Sequence, residues 1–178
     1  MTLSHDSFVP LEMFYEMREK SEQLLEYIDG VIYMSPSPST KHQRISSRLQ
    51  LRIGNFLEEE SCEVFVAPYD IELKSEGIEG NKIVIPDISV ICEKGGFTET
   101  KYIGVPTLIV EILNPSNQSH DLITKLNLYM KYGVKEYWIV NNRNGFGLLS
   151  QNVNLQKKYK VKCISNYIAY SDAFCSKN

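Results

Sequence analysis

The chain has 178 residues, 43% of them hydrophobic and 23% charged, with a formal net charge of -3. That length suffices for one domain with its own core, and the slightly acidic balance excludes a protein that holds nucleic acid by bulk positive charge, so any such contact needs a local patch. No apolar run is long enough to cross a bilayer, the opening residues MTLSHDSFVPLEMF lack a basic-then-apolar signal pattern, and the four cysteines (Cys62, Cys92, Cys163 and Cys175) form no C-x-x-C pair and have no histidine at zinc-like spacing. The expectation is a cytoplasmic protein with reduced, structural thiols and no membrane partner.

In chain order, Val9 to Lys20 reads as a short helix with Pro10 in its first turn and Leu11, Phe14, Tyr15 and Met17 facing inward. Asp29-Gly30 between two β-prone runs signals a hairpin, with strands at Leu24 to Ile28 and Val31 to Met34. A Pro-Ser loop leads to a long helix over Thr40 to Glu60, whose Ile45, Leu49, Ile53, Phe56 and Leu57 recur at core spacing. Lys41, Arg44, Arg48 and Arg52 fall along another face of it. That basic stripe is a candidate DNA-binding surface through phosphate contacts; the plainer reading is a solvated helix face. Glu58, Glu59 and Glu60 crowd the helix end where the macrodipole disfavours acids, so they belong in solvent.

CEVFVAPYDIEL reads as one long strand bent at Pro68, and NKIVIPDISVIC as a strand with Pro86 marking a bulge. KSEGIEGN is a polar turn and EKGGFTETKYIGVP a connecting loop. TLIVEIL is a continuous apolar run broken only by Glu111, the pattern of a central strand covered on both faces. A helix from about Ser119 to Tyr132 stops at Gly133 and leads into the strand KEYWIVN, completing a βαβ unit. The remainder reads as an edge meander, with Lys157, Lys158, Lys160 and Lys162 as protective edge charges and DNA contact as their lesser alternative.

An acid inside a buried strand is costly unless it is paired or holds a metal. Asp87 and Glu111 are two such acids, and alternation allows them to converge if their strands are neighbours. Two carboxylates with a backbone carbonyl, here that of Ile112, suit Mg²⁺, with Mn²⁺ as a substitute. Lys125 lies on the following helix and shares a face with Asp121 and Tyr129. From there an ammonium can orient a nucleophile and stabilise developing negative charge; the plainer reading is an Asp121–Lys125 surface pair. Glu26 alternates with Leu24 and Ile28, which suggests an inward acid, and His42 opens the long helix as a ligand, a phosphate donor or a structural hydrogen bonder. Asp70 and Glu72 share one strand face and are open to an ordinary solvated role.

The stretches LEYIDGVIYMSPSPSTKHQRIS, APYDIEL, IPDISVI, GVPTLIVEILNPS and DLITKLNLYMKYGVKEYWIV resemble the Uma-two family of restriction-endonuclease-like proteins, a branch of the PD-(D/E)XK nuclease superfamily. The resemblance runs from about Leu24 to Asn141. It implies an α/β fold, a mixed central sheet flanked by helices with an N-terminal helix and hairpin extension. It also implies Mg²⁺-dependent hydrolysis of DNA phosphodiesters, commonly by a homodimer. On this resemblance Asp87 is the acid of the Pro-Asp motif, Glu111 the acid of the second half-motif, and Lys125 the lysine moved from strand to helix. Glu26, His42 and Asp70 match positions that recur near the family's site. Two departures stand out: Leu113 occupies the place of the usual strand lysine, and Asn141-Asn142 follows WIV where Asp-Pro is usual. Beyond Asn152 the match is poor, and no role is carried over there.

The expected organisation is therefore a single nuclease-like domain, with residues 1–39 as N-terminal extension, 40–141 as core and 142–178 as edge meander. The leading functional expectation is a Mg²⁺-dependent DNA endonuclease. The alternatives are an inactive nuclease-like module that binds nucleic acid or protein, and a metal-dependent hydrolase of a small phosphoester, although no P-loop or other small-ligand motif is present.

Overall fold

The computed structural model describes residues 8–35, 37–113, 120–141 and 147–152. In chain order the elements are α1 (Leu11–Glu19), β1 (Leu24–Ile28), β2 (Val31–Ser35), α2 (Thr40–Phe56), β3 (Glu63–Val66), β4 (Asp70–Glu72), β5 (Lys82–Val84), β6 (Ile88–Ile91), β7 (Lys101–Ile103), β8 (Leu108–Leu113), α3 (His120–Tyr132), β9 (Glu136–Asn141) and β10 (Gly147–Asn152). The described strands form two five-stranded mixed sheets, ordered β2-β1-β5-β4-β7 and β10-β9-β8-β6-β3. The class is the expected α/β, and the N-terminal hairpin is built into the first sheet through β1–β5 pairing.

Prolines explain the split into two sheets. CEVFVAPYDIEL is not one bent strand: β3 and β4 belong to different sheets, separated by a cis Ala67–Pro68 bond. NKIVIPDISVIC divides in the same way, with Ile85-Pro86-Asp87 carrying the chain from β5 to β6. Proline cannot donate to a ladder, so each sheet ends there. KYI, expected as loop, forms β7 and pairs parallel to β4; three residues flanked by glycine and threonine give little periodicity to read.

The hairpin turn follows its sequence signal. Asp29 and Gly30 take φ of 47° and 91°, the left-handed pair that matches the twist of both strands. β8 is central, parallel to β9 and antiparallel to β6, and is covered on both faces. Leu108, Val110 and Ile112 pack against Ile45, Leu49, Ile53 and Leu57 on and just beyond α2, each such burial contributing about 1.5–3 kcal/mol. Ile109 meets Leu128, Tyr129, Tyr132 and Tyr137 on the other side. A third cluster seats Phe14 of α1 against Leu25, Tyr27, Ile32 and Ile83.

Several expected core positions are in solvent. Tyr15, Met17 and Phe56 are exposed, because each lies off the face that its helix buries. Glu58, Glu59 and Glu60 are exposed beyond the end of α2, as the dipole argument requires. α3 ends where Gly133 takes φ 82° and the Val134 amide returns to the Tyr129 carbonyl, a left-handed helix stop.

The cysteine expectation is corrected for one pair: Cys62 and Cys92 are joined by a disulfide. Antiparallel register pairs Glu63 with Ile91, which sets the two cysteines opposite each other one step further out. Their separation of 30 residues in sequence carries no hint of that pairing. Cys163, Cys175 and Lys157 to Lys162 lie outside the described residues.

Candidate active site

The site forms where the chain passes from the first sheet to the second. Asp87 occupies the crossing between β5 and β6, and its own carbonyl accepts from the Ala67 amide at 3.1 Å. Its Oδ2 accepts from the Ile112 amide of β8 at 2.7 Å and lies 3.1 Å from His42 Nε2. His42 is set by the start of α2: the Ser39 side chain caps the helix by accepting from the His42 amide at 3.2 Å. The imidazole is buried. Its pKa is raised, chiefly by the hydrogen bond to Asp87 working against burial, with the charges of Asp87 and Glu111 and the Ile112 carbonyl adding to it.

The second half of the site is a lysine between two glutamates. Lys125 Nζ lies 3.0 Å from Glu111 Oε1 and 2.9 Å from Glu26 Oε2. Tyr129, one turn further along α3, donates to Glu111 Oε1 at 3.1 Å. Glu26 Oε1 accepts from the Ile85 amide at 2.7 Å, two residues before Asp87, so the hairpin holds the lysine and braces the crossing together. Burial pushes the Glu111 carboxyl up to about 7, with Asp87 and Glu26 adding to the rise and Lys125 opposing it. Burial works against the charged form of Lys125, but Glu111 and Glu26 outweigh it and hold the ammonium well above its ordinary range.

Glu26, His42, Asp87, Glu111, Ile112 and Lys125 line a cavity of about 300 Å³ that also takes in Tyr33 and Ser35 of β2, Thr124 of α3, Tyr137 of β9, and Gln43, Ser46, Ser47 and Gln50 of α2. The hydroxyl of Tyr137 is buried without a hydrogen-bond partner among the described residues. Burial raises its pKa, and Glu111 adds to that, so the group stays a neutral phenol.

The structure therefore brings together Glu26, His42, Asp87, Glu111, Ile112, Lys125 and Tyr129. It does not bring Asp70. That carboxylate pairs with Arg18 Nη2 at 2.6 Å and is absent from the cavity lining, because β4 turns this face toward α1. The Asp121 side chain lies outside the described residues. Lys41, Arg44, Arg48 and Arg52 are all exposed, and none lines the cavity. At 100° per residue they fall on the flank of α2 away from Gln43, Ser47 and Gln50. Sequence reasoning missed Tyr137, whose aromatic strand context reads as plain core. It also missed the neutral face of α2, although Gln43, Ser46, Ser47 and Gln50 carry a helical spacing that could have shown it.

Among the described residues no group of three or more His, Cys, Asp or Glu side chains is arranged to hold a metal. A hard cation that keeps several waters needs fewer protein ligands than that. The donor set suits one: Asp87 and Glu111 each engage a single oxygen in the hydrogen bonds above. In an extended strand a residue's N–H and C=O share an edge, so the Ile112 amide bond to Asp87 puts the carbonyl on the same side. Burial and neighbouring acids that raise the Glu111 pKa also mark a site that favours added positive charge.

A proline-broken sheet crossing bearing one acid, a central strand bearing a second and a helix bearing a lysine make up a nuclease-like α/β architecture. Over residues 11–158 the chain matches the family model Uma2, described as "Putative restriction endonuclease", and it belongs to that family. It is 32% identical over 118 residues to the uncharacterized protein slr1290 of Synechocystis sp., a match covering 66% of this chain and 60% of the relative's length. The match thus spans about three fifths of that relative's length. Among solved structures it resembles a crystal structure from Anabaena variabilis titled as a putative nuclease belonging to DUF820, with a TM-score of 0.73, 23% identity and coverage of 94% of this chain and 92% of that one. At that identity the likeness establishes the fold.

Proposed function

We propose that the protein is a Mg²⁺-dependent endonuclease that hydrolyses DNA phosphodiesters. The observation that carries the reading is Lys125, held at 3.0 Å from Glu111 and 2.9 Å from Glu26 inside the cavity that Asp87 also lines. Asp87, Glu111 and the Ile112 carbonyl would hold the ion. When bound, it offsets phosphate charge and makes water a better nucleophile.

The chain's own groups set the geometry. Lys125 remains an ammonium and presents N–H donors toward the scissile phosphate and the attacking water, where negative charge develops. It takes the place that Leu113 leaves empty on β8. Glu26 fixes the direction of that ammonium and is itself fixed by the Ile85 amide. His42 and the Ile112 amide orient the Asp87 carboxylate, and Tyr129 orients that of Glu111.

The test is cleavage of a labelled DNA duplex and of supercoiled plasmid with Mg²⁺, with Mn²⁺ and with EDTA. The unmodified chain should cut with either metal and stop in chelator. Asp87→Ala, Glu111→Ala and Lys125→Ala should each abolish cutting with the circular dichroism spectrum retained. Full activity in Glu111→Ala would refute the mechanism.

A further inference from the structure

The cavity is poor in positive charge. Three carboxylates (Glu26, Asp87 and Glu111) line it with one ammonium, Lys125, and one imidazole. Apart from that imidazole, its α2 wall adds no charge: Gln43, Ser46, Ser47 and Gln50 supply only amides and hydroxyls. Gln43, Ser47 and Gln50 are exposed and Ser46 is half-buried. The four sit at i, i+3, i+4 and i+7, hence on one side of the helix, and the face runs about 10 Å along its axis. Such a strip is too long for a small phosphoester and spans about three nucleotide steps at 3.4 Å each. The cations of the same helix lie on the opposite flank.

We infer that, in the endonuclease reading, α2 contacts the substrate strand through this neutral face, Gln43, Ser46, Ser47 and Gln50, and not through its arginine stripe. The inference rests on that reading and adds to it how the strand is held. Amides and hydroxyls can pair with phosphate, sugar and base edges alike, and they release no counterions when they do. Contacts made there hold the strand without steepening its salt dependence.

The experiment measures KM and kcat on a labelled 20-mer DNA duplex between 50 and 200 mM salt. Gln43→Ala/Gln50→Ala is compared with Arg44→Ala/Arg48→Ala/Arg52→Ala. All five positions are exposed, so both variants should keep the fold, checked by circular dichroism. The glutamine variant should raise KM about tenfold, the loss of one or two hydrogen bonds, with kcat held within about threefold and the salt slope unchanged. The arginine variant should move KM less than that. An arginine effect at least as large as the glutamine effect, or a glutamine variant with the KM of the unmodified chain, overturns the inference and leaves the endonuclease reading standing. If the unmodified chain cuts only a small diester such as bis(p-nitrophenyl) phosphate, or nothing, the endonuclease reading falls and the inference falls with it.

Discussion

Two groups of strand acids with nearby cations look alike in sequence and differ in build. In the first, Lys125 bridges Glu26 and Glu111, with side-chain exposures of 15%, 3% and 13%. In the second, Asp70 meets Arg18 at 2.6 Å and Glu72 meets Lys101 at 2.5 Å, all at 22–29% exposure. The second group matches each half-buried acid with its own half-buried cation, where solvent still reaches and screens both. The first sets two glutamates against one lysine, adds Asp87 nearby, and opens onto a cavity. A structural ion pair balances charge; a site leaves carboxylate in excess for something positive to satisfy.

The largest expected effect breaks that comparison on activity. Lys125→Ala should lower the cleavage rate by about a thousandfold, the scale of removing one preorganised donor to developing charge. Lys101→Ala should leave the rate within about twofold. Single-turnover rates with saturating Mg²⁺ measure both. If the two variants lose comparable activity, the bridging lysine is no more a catalytic group than the surface one.

The next effect is on stability and has a definite sign. The Glu111 carboxyl is raised from 4.5 to about 7 in the folded state. Folding then favours its protonated form, so the stability from this group is fully present below about 4.5 and is lost as pH rises through about 7. In chelator, Glu111→Gln should therefore be more stable than the unmodified chain at pH 8, by on the order of 3 kcal/mol, and nearly equal to it at pH 4. Urea unfolding at the two pH values reads the difference. His42 is raised as well, in part by the Glu111 charge, so it loses stability over a neighbouring window in both proteins, and that window ends at lower pH in Glu111→Gln. Equal stability at both pH values would mean that Glu111 carries no excess charge cost.

A smaller effect tests how the excess is held. Tyr129→Phe removes the hydroxyl that donates to Glu111, a bond that favours the ionised carboxylate. The variant should lose about 1 kcal/mol at pH 8 and move the Glu111-linked stability change to higher pH. A change confined to stability, with the pH profile unmoved, would make Tyr129 a packing residue.

Glu111 and Lys125 were legible because each broke a pattern: a lone acid in TLIVEIL, and a lysine placed by helix spacing behind it. Glu26 was legible from alternation within a hairpin that its turn residues define. Asp87 was found beside a proline, but the reason for its position was not: the proline ends one sheet and the acid opens the next. Asp70 shows the limit of alternation, which says that two acids share a face and not what that face meets. Here it meets Arg18 of α1 and Lys101 of β7, the latter on a strand too short to read. The Cys62–Cys92 link depends on antiparallel register between two strands, which no local pattern encodes. Charge makes the basic stripe conspicuous in the sequence, whereas the neutral face across the same helix lines the cavity.

The smallest expected effect bears on the second group directly. A double-mutant cycle on Arg18→Ala and Asp70→Asn isolates their coupling from the loss of either side chain's packing. Arg18 also lies 5.9 Å from the Phe14 ring centroid, so its single substitution removes more than a salt bridge, and the cycle subtracts that part. For a half-buried pair that solvent still reaches, the coupling should be about 1 kcal/mol and should shrink further in high salt, which screens solvent-accessible pairs. The cycle is read from urea midpoints at low and high salt. A coupling well above that value and indifferent to salt would mean that β4 holds its charges as tightly as the cavity does. The balance of carboxylates against cations would then no longer distinguish a site from a strut.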